Sequence, residues 1–159
     1  MLKIGSSMDI HSLVKGRKLI LGGITIESEY GCYAHSDGDV LLHSIIEAII
    51  GALGKGDLGE HFPDGDDKYK DIDSSILLNN ILGIMKKEHY VINNLDCSII
   101  LEKPKLGKHK EKIRQNVARL LSINAANVNI KAGTMEGIGE IGKNEAVMAF
   151  CSILLESED

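Results

Sequence analysis

The chain has 159 residues, 26% of them charged, with a formal net charge of -5, a length that suits one domain with a sizeable core and is short for two. The acidic balance, the absence of Trp and the presence of two Phe and four Tyr argue against a general nucleic-acid binder and leave room for local anion sites. Cys32, Cys97 and Cys151 lack CxxC spacing and Met1 to Asp9 lacks a basic region followed by a long apolar run, so reduced thiols and a soluble, cytoplasmic protein that spans no membrane are expected.

Residues 2–8 and 19–26 read as short strands, the second carrying the turn-prone pair Gly22-Gly23. Asp9 and His11 stand two apart at the end of the first, so on extended backbone both point to one face. His35-Ser36-Asp37-Gly38-Asp39 leads into a segment in which Leu42, Ile45, Ile46, Ile49, Ile50 and Leu53 repeat at helical spacing, which predicts a helix over 39–53. Asp39, His43 and Glu47 line its opposite face, a pattern that describes a solvated surface as well as a ligand set. Asp37 and Asp39 suit helix N-caps. A strand and a helix that together offer Asp9, His11 and His43 would give Zn²⁺ three ligands and an open fourth position. A metal-bound His usually gives its second N–H to a fixing partner, for which Asp39 and Glu47 are the nearest candidates.

Residues 54–73 are rich in Gly and Asp around Phe62-Pro63-Asp64 and read as a long loop. A second helix is expected from Asp73 or Ser74 as N-cap to about Glu88, a strand over 91–101, a helix over 108–121, and strands over 127–132 and 145–155. Lys103-Pro104-Lys105-Leu106-Gly107-Lys108 is a basic loop of fixed backbone shape, suited to a nucleobase edge or simply solvated. Between the last two strands, Gly133 to Lys143 is loop-like, with a hydroxyl at Thr134 and a hard oxygen ligand for Mg²⁺ or Mn²⁺ at Glu136. There is neither a Walker A pattern nor GxGxxG. This succession of strands and helices predicts a single α+β domain over 1–159, with helices packed on one face of a mixed sheet.

These pieces together resemble the 2-C-methyl-D-erythritol 2,4-cyclodiphosphate synthase family of the non-mevalonate isoprenoid pathway. The resemblance rests on Asp9-Ile10-His11, Leu21-Gly22-Gly23, Ala34-His35-Ser36-Asp37-Gly38-Asp39-Val40 with His43, Gly56-Asp57-Leu58-Gly59 with Phe62-Pro63-Asp64, Pro104-Lys105, and Asn129-Ile130-Lys131-Ala132 with Thr134 and Glu136. It implies a lyase that forms a homotrimer around a central channel, with active sites between subunits and a cytidylylated small molecule as substrate. It implies Zn²⁺ on Asp9, His11 and His43, Mg²⁺ or Mn²⁺ on Glu136, and transition-state support from His35 and Thr134. Substrate contacts would come from Asp9, Ile10, His11, His35 and Ser36, and from Asp57, Leu58, Gly59, Phe62, Pro63, Asp64, Gly65 and Asp66 around the erythritol part. Leu101, Glu102, Lys103, Pro104, Lys105, Leu106 and Gly107, with Gly133, Thr134, Met135, Glu136 and Lys143, would enclose the cytidine and its phosphates. The chain departs from the family's usual pattern at Ser6, Ser7, Met8, Gly133, Met135, Glu140, Lys143 and Asn144. Rival readings are a metal-dependent nucleotide phosphohydrolase, using the same ions to activate water, and a non-enzymatic metal-binding scaffold.

Overall fold

The computed structural model describes residues 1–63 and 65–158. Seven strands and five helices follow in the order β1 Leu2–Lys15, β2 Leu19–Leu21, β3 Ile24–Ile26, β4 Tyr30–Cys32, α1 Val40–Leu53, α2 Leu58–His61, α3 Ser74–Lys87, β5 Tyr90–Ile100, α4 Lys110–Leu121, β6 Val128–Gly133, α5 Gly139–Gly142 and β7 Ala146–Ser157. Five strands form one mixed sheet in the order β4-β1-β7-β5-β6, and β2 and β3 form a separate hairpin. β5 and β6 run parallel, joined by the crossover helix α4, while the β1–β7 and β5–β7 pairs are antiparallel.

Alternation along the strands decides which face the helices cover. Leu95, Cys97 and Ile99 on β5 lie opposite Ile153, Cys151 and Ala149 on β7, and all six are buried. They meet the apolar faces of α1 and α3, whose Leu42, Ile45, Ile46, Ile49, Leu78 and Ile81 lie within the same core. At Gly5 the contact between β1 and α1 is so close that a Cβ would stand 1.9 Å from the Ala48 carbonyl oxygen. The alternate residues on the other face remain open: Ile4 is 73% exposed, Met8 59%, Ile10 52% and Phe150 40%.

The long helices fall where their periodicity places them, and α3 is capped by Asp73, whose side chain accepts from Ser75 N. β1 extends seven residues beyond the predicted 2–8, so Asp9 and His11 are internal strand residues paired with Ala149 and Val147. The 19–26 segment is a hairpin rather than one strand, turning at Gly22 and Gly23, both at positive φ. The one-turn helices α2 and α5 interrupt stretches that read as loop, and β4 falls in a stretch for which the sequence predicts no element. Among the described residues no helix is long and apolar enough to cross a membrane.

Candidate active site and metal centre

Asp9 and His11 leave β1 on its helix-covered face, and His43 reaches them from the first turns of α1. Asp9 Oδ2, His11 Nε2 and His43 Nδ1 form a nearly equilateral triangle with sides of 3.0, 3.1 and 3.1 Å. Tetrahedral zinc with bonds of roughly 2.0–2.1 Å places its ligand atoms about 3.3 Å apart, so a small closed set of two nitrogens and one oxygen fits the ion with slight expansion. Asp9 Oδ1 accepts from Ile10 N at 2.9 Å, which aims Oδ2 at the two imidazoles. Ile10 itself falls on the opposite face of β1, so its side chain does not enter this site.

Burial opposes charge on Asp9, yet the hydrogen bonds and charges of His11 and His43 prevail and hold its carboxyl well below the usual range. Burial likewise works to lower His43, while the Asp9 hydrogen bond and charge, with the charges of Asp39 and Asp37, hold it above its ordinary value. The Cys32 thiol is pushed up to about 12, by burial first and then by the charges of Asp39 and Asp9. It is therefore a poor thiolate ligand.

Asp39 and Glu47 do not hold the second nitrogen of His43. Asp39 caps α1, accepting from Leu42 N, and also binds the Gly22 and Gly23 N–H groups at 2.9 and 2.6 Å. Glu47 accepts from Ser7 Oγ at 2.8 Å, further along β1. His43 Nε2 instead meets Ser74 Oγ at 2.9 Å and Ser36 Oγ at 3.2 Å. Asp37, unlike Asp39, does not cap α1: it accepts from Asp39 N, Ser74 N and the Ser74 hydroxyl. Sequence reasoning singled out Ser74 only as a possible cap, because its contact with His43 spans 31 positions.

The triad forms one wall of a cleft of about 750 Å³ that also takes in His35, Ser36, Leu58 and Phe62. Asp57 does not itself line this cleft but caps α2, the helix that supplies Leu58 to it, by accepting from Glu60 N. His35 Nε2 lies 3.3 Å from the Asp66 carbonyl, and Asp71 N donates to His35 O, so the 65–72 segment is tied to the His35 loop. Asp64 lies outside the described residues. Arg17, Tyr33, Tyr69, Lys70 and Asp71 line the same cleft; no motif pointed to them, since they come from three separate segments, at Arg17, at Tyr33 and at Tyr69 to Asp71.

The other expected residues gather elsewhere. Leu101 N donates to Gly133 O at 3.0 Å, which joins the Leu101 to Gly107 loop to the Gly133 to Glu136 loop at the carboxyl ends of β5 and β6. Thr134 Oγ1 accepts from Glu136 N at 3.3 Å. Glu102, Lys103 and Lys143 line a second cleft of about 570 Å³. In the sheet order, β6 is three strand spacings from β1, roughly 14 Å at 4.7–4.9 Å each. Among the described residues, Asp9, His11 and His43 form the only metal-type cluster, and Glu136 does not belong to it.

The model of the YgbB family matches residues 2–156. A 2-C-methyl-D-erythritol 2,4-cyclodiphosphate synthase from Fusobacterium nucleatum is 52% identical over 158 residues, 99% of each chain. The structure is similar to that of a Plasmodium falciparum IspF in complex with CDP, with TM-score 0.87, 33% identity and coverage of 99% of this chain and 97% of that one. It is also similar to the bifunctional IspDF of Campylobacter jejuni, with TM-score 0.96 and 36% identity, covering 100% of this chain and 43% of that longer one.

Proposed function

The chain belongs to the YgbB family, that of the 2-C-methyl-D-erythritol 2,4-cyclodiphosphate synthases of isoprenoid biosynthesis, and from this membership we propose its reaction, metals and assembly in residue terms. The substrate is 4-diphosphocytidyl-2-C-methyl-D-erythritol 2-phosphate, and the products are 2-C-methyl-D-erythritol 2,4-cyclodiphosphate and CMP. A 2-phosphate oxygen attacks the β-phosphorus, and the bond from that phosphorus to the bridging oxygen breaks, so CMP leaves with the oxygen and its electron pair. The observation that carries this reading is the triangle of Asp9 Oδ2, His11 Nε2 and His43 Nδ1 set in the wall of a cleft.

The chemical difficulty is the approach of one phosphate anion to another. Asp9, His11 and His43 would hold Zn²⁺ and Glu136 would hold Mg²⁺ or Mn²⁺, and the positive charge of such ions would screen this repulsion and stabilise charge on the equatorial oxygens. His35 and Ser36 sit beside the triad and hold the reacting phosphate, while Thr134 supports it from the other side. Asp57, Leu58, Gly59, Phe62, Pro63, Gly65 and Asp66 enclose the erythritol part and exclude water. Leu101 to Gly107 and Gly133 to Met135 bind cytidine and its phosphates, and binding of a cytidine nucleotide is in keeping with the CDP complex of a relative. Positioning supplies most of the acceleration because the attack is intramolecular.

The two residue groups lie at different places across one sheet, which supports a homotrimer whose sites each take the zinc half from one chain and the nucleotide half from its neighbour. The whole chain, 1–159, acts as one synthase domain in the cytoplasm. The phosphohydrolase alternative gains no support from the relatives. Phosphorus NMR of the protein incubated with the cytidylylated substrate tests the reading: cyclic diphosphate with CMP is expected, and a linear phosphate would overturn it.

A further inference from the structure

His43 must present a lone pair on one ring nitrogen and a proton on the other. Its Nδ1 faces Asp9 Oδ2 and His11 Nε2 at 3.1 Å, so cation binding there requires the proton on Nε2 and an acceptor for it. The closer acceptor is Ser74 Oγ, at 2.9 Å, with Ser36 Oγ at 3.2 Å. A serine hydroxyl can either give or take a hydrogen bond, and where its own proton goes decides which. Ser74 gives its proton to Asp37 Oδ1, while Asp37 Oδ2 accepts from Ser74 N at 3.0 Å. A carboxylate only accepts, so the direction of the series is set: His43 Nε2–H donates to Ser74, and Ser74 donates to Asp37. Ser74 and His43 are both buried, so water does not readily replace the link.

We propose that Ser74 and Asp37 are positioning residues that hold His43 in the Nε2–H tautomer and thereby set the zinc affinity of the Asp9, His11 and His43 centre. The inference rests on the reading that this triad holds zinc. The same two residues are tied to the neighbouring segment: Asp37 N also donates to Ile72 O at 3.0 Å, and Ser74 opens α3 directly after the 54–73 segment. The residues that orient His43 are therefore the same ones that anchor the end of the segment walling the cleft.

The test compares zinc binding by the full-length unmodified protein, Ser74→Ala and Asp37→Asn, using competition with a chromophoric chelator. Ser74→Ala removes the bridging hydroxyl. Asp37→Asn leaves one acceptor oxygen where two now take three donors. Both variants are expected to bind zinc roughly 10- to 100-fold more weakly, the range typical of lost outer partners of a ligating His. Nitrogen–proton correlation spectra of the zinc-loaded unmodified protein should show the His43 proton on Nε2 and slow to exchange, and that protection should be lost in Ser74→Ala. Unchanged zinc affinity in either folded variant, or zinc carried on His43 Nε2, would overturn the proposal. Should neither variant fold, the spectrum of the unmodified protein still decides, because an Nε2 proton in fast exchange with water contradicts the link. No zinc bound by the unmodified protein is a distinct result, which overturns the metal reading and this inference with it.

Discussion

Asp9 and His43 shift each other's protonation in opposite directions, which gives the metal centre a signed pH dependence. His43, raised from 6.5, stabilises the metal-free chain fully below that value and less as the pH rises through its folded pKa. Asp9, lowered from 3.8, contributes above that value and loses its contribution as the pH falls toward its folded pKa. Between them the metal-free pair holds a proton that zinc must displace. Zinc affinity should therefore rise with pH through the window above 6.5, by about tenfold per pH unit until His43 is neutral. Chelator competition across that window measures this, and a flat profile would show that no proton is exchanged. Glu136 poses a different question, since it stands exposed at positive φ and, among the described residues, belongs to no metal-type cluster. Glu136→Gln should leave zinc stoichiometry intact while raising the Mg²⁺ or Mn²⁺ needed for half-maximal CMP release severalfold, because a neutral amide oxygen is a poorer ligand for a hard dication.

Helix α1 brings His43 to β1, and its position depends on Asp39, a fully buried side chain that accepts three backbone N–H groups from two elements. Asp39→Ala removes a helix cap and leaves buried donors unpaired, so a loss on the order of 3 kcal/mol of unfolding free energy is expected. Urea denaturation of the metal-free protein checks it, separately from any loss of zinc. The apolar repeat from Leu42 to Leu53 made α1 legible in the sequence, and the two-residue spacing of Asp9 and His11 put both on one face. The length of β1 was not legible, because His11 and Ser12 break the apolar alternation that marks a strand. Nor was α2, a single turn that depends on the Asp57 cap rather than on periodicity. The Ser74 link was out of reach because it is created by tertiary packing of α3 beside α1. The loop after β5 offers a cleaner test of an element's role. It meets the β6 loop through Leu101 and lies apart from the triad, so Lys105→Ala should raise KM for the cytidylylated substrate several-fold with little change in kcat, the signature of lost uniform binding. A fall in kcat alone would place Lys105 beside the reacting phosphorus instead.

At the scale of the whole molecule, the sheet has one face covered by helices and one carrying exposed Ile4, Met8, Ile10 and Phe150, while the two halves of the proposed site lie three strands apart. A cyclic assembly resolves both features at once, since closed rotation places the same patch of every chain against the next. Zinc binding and turnover should then separate. All three donors of the proposed zinc site belong to one chain, so a Phe150→Glu variant that dissociates into monomers should still bind zinc stoichiometrically, yet release no CMP. The sharper experiment mixes two inactive proteins. His43→Ala spoils only the zinc half and Glu136→Ala only the nucleotide half, so a site formed between a Glu136→Ala chain giving zinc ligands and a His43→Ala chain giving Glu136 is intact. Random reassembly of equal amounts makes such a pairing at roughly one site in four. Unfolding and refolding the two variants together should recover about a quarter of the unmodified rate, whereas refolding each alone recovers none. No recovery from a mixture that demonstrably forms mixed trimers would mean that each site is built within a single chain, and the division of labour across the subunit boundary would have to be abandoned.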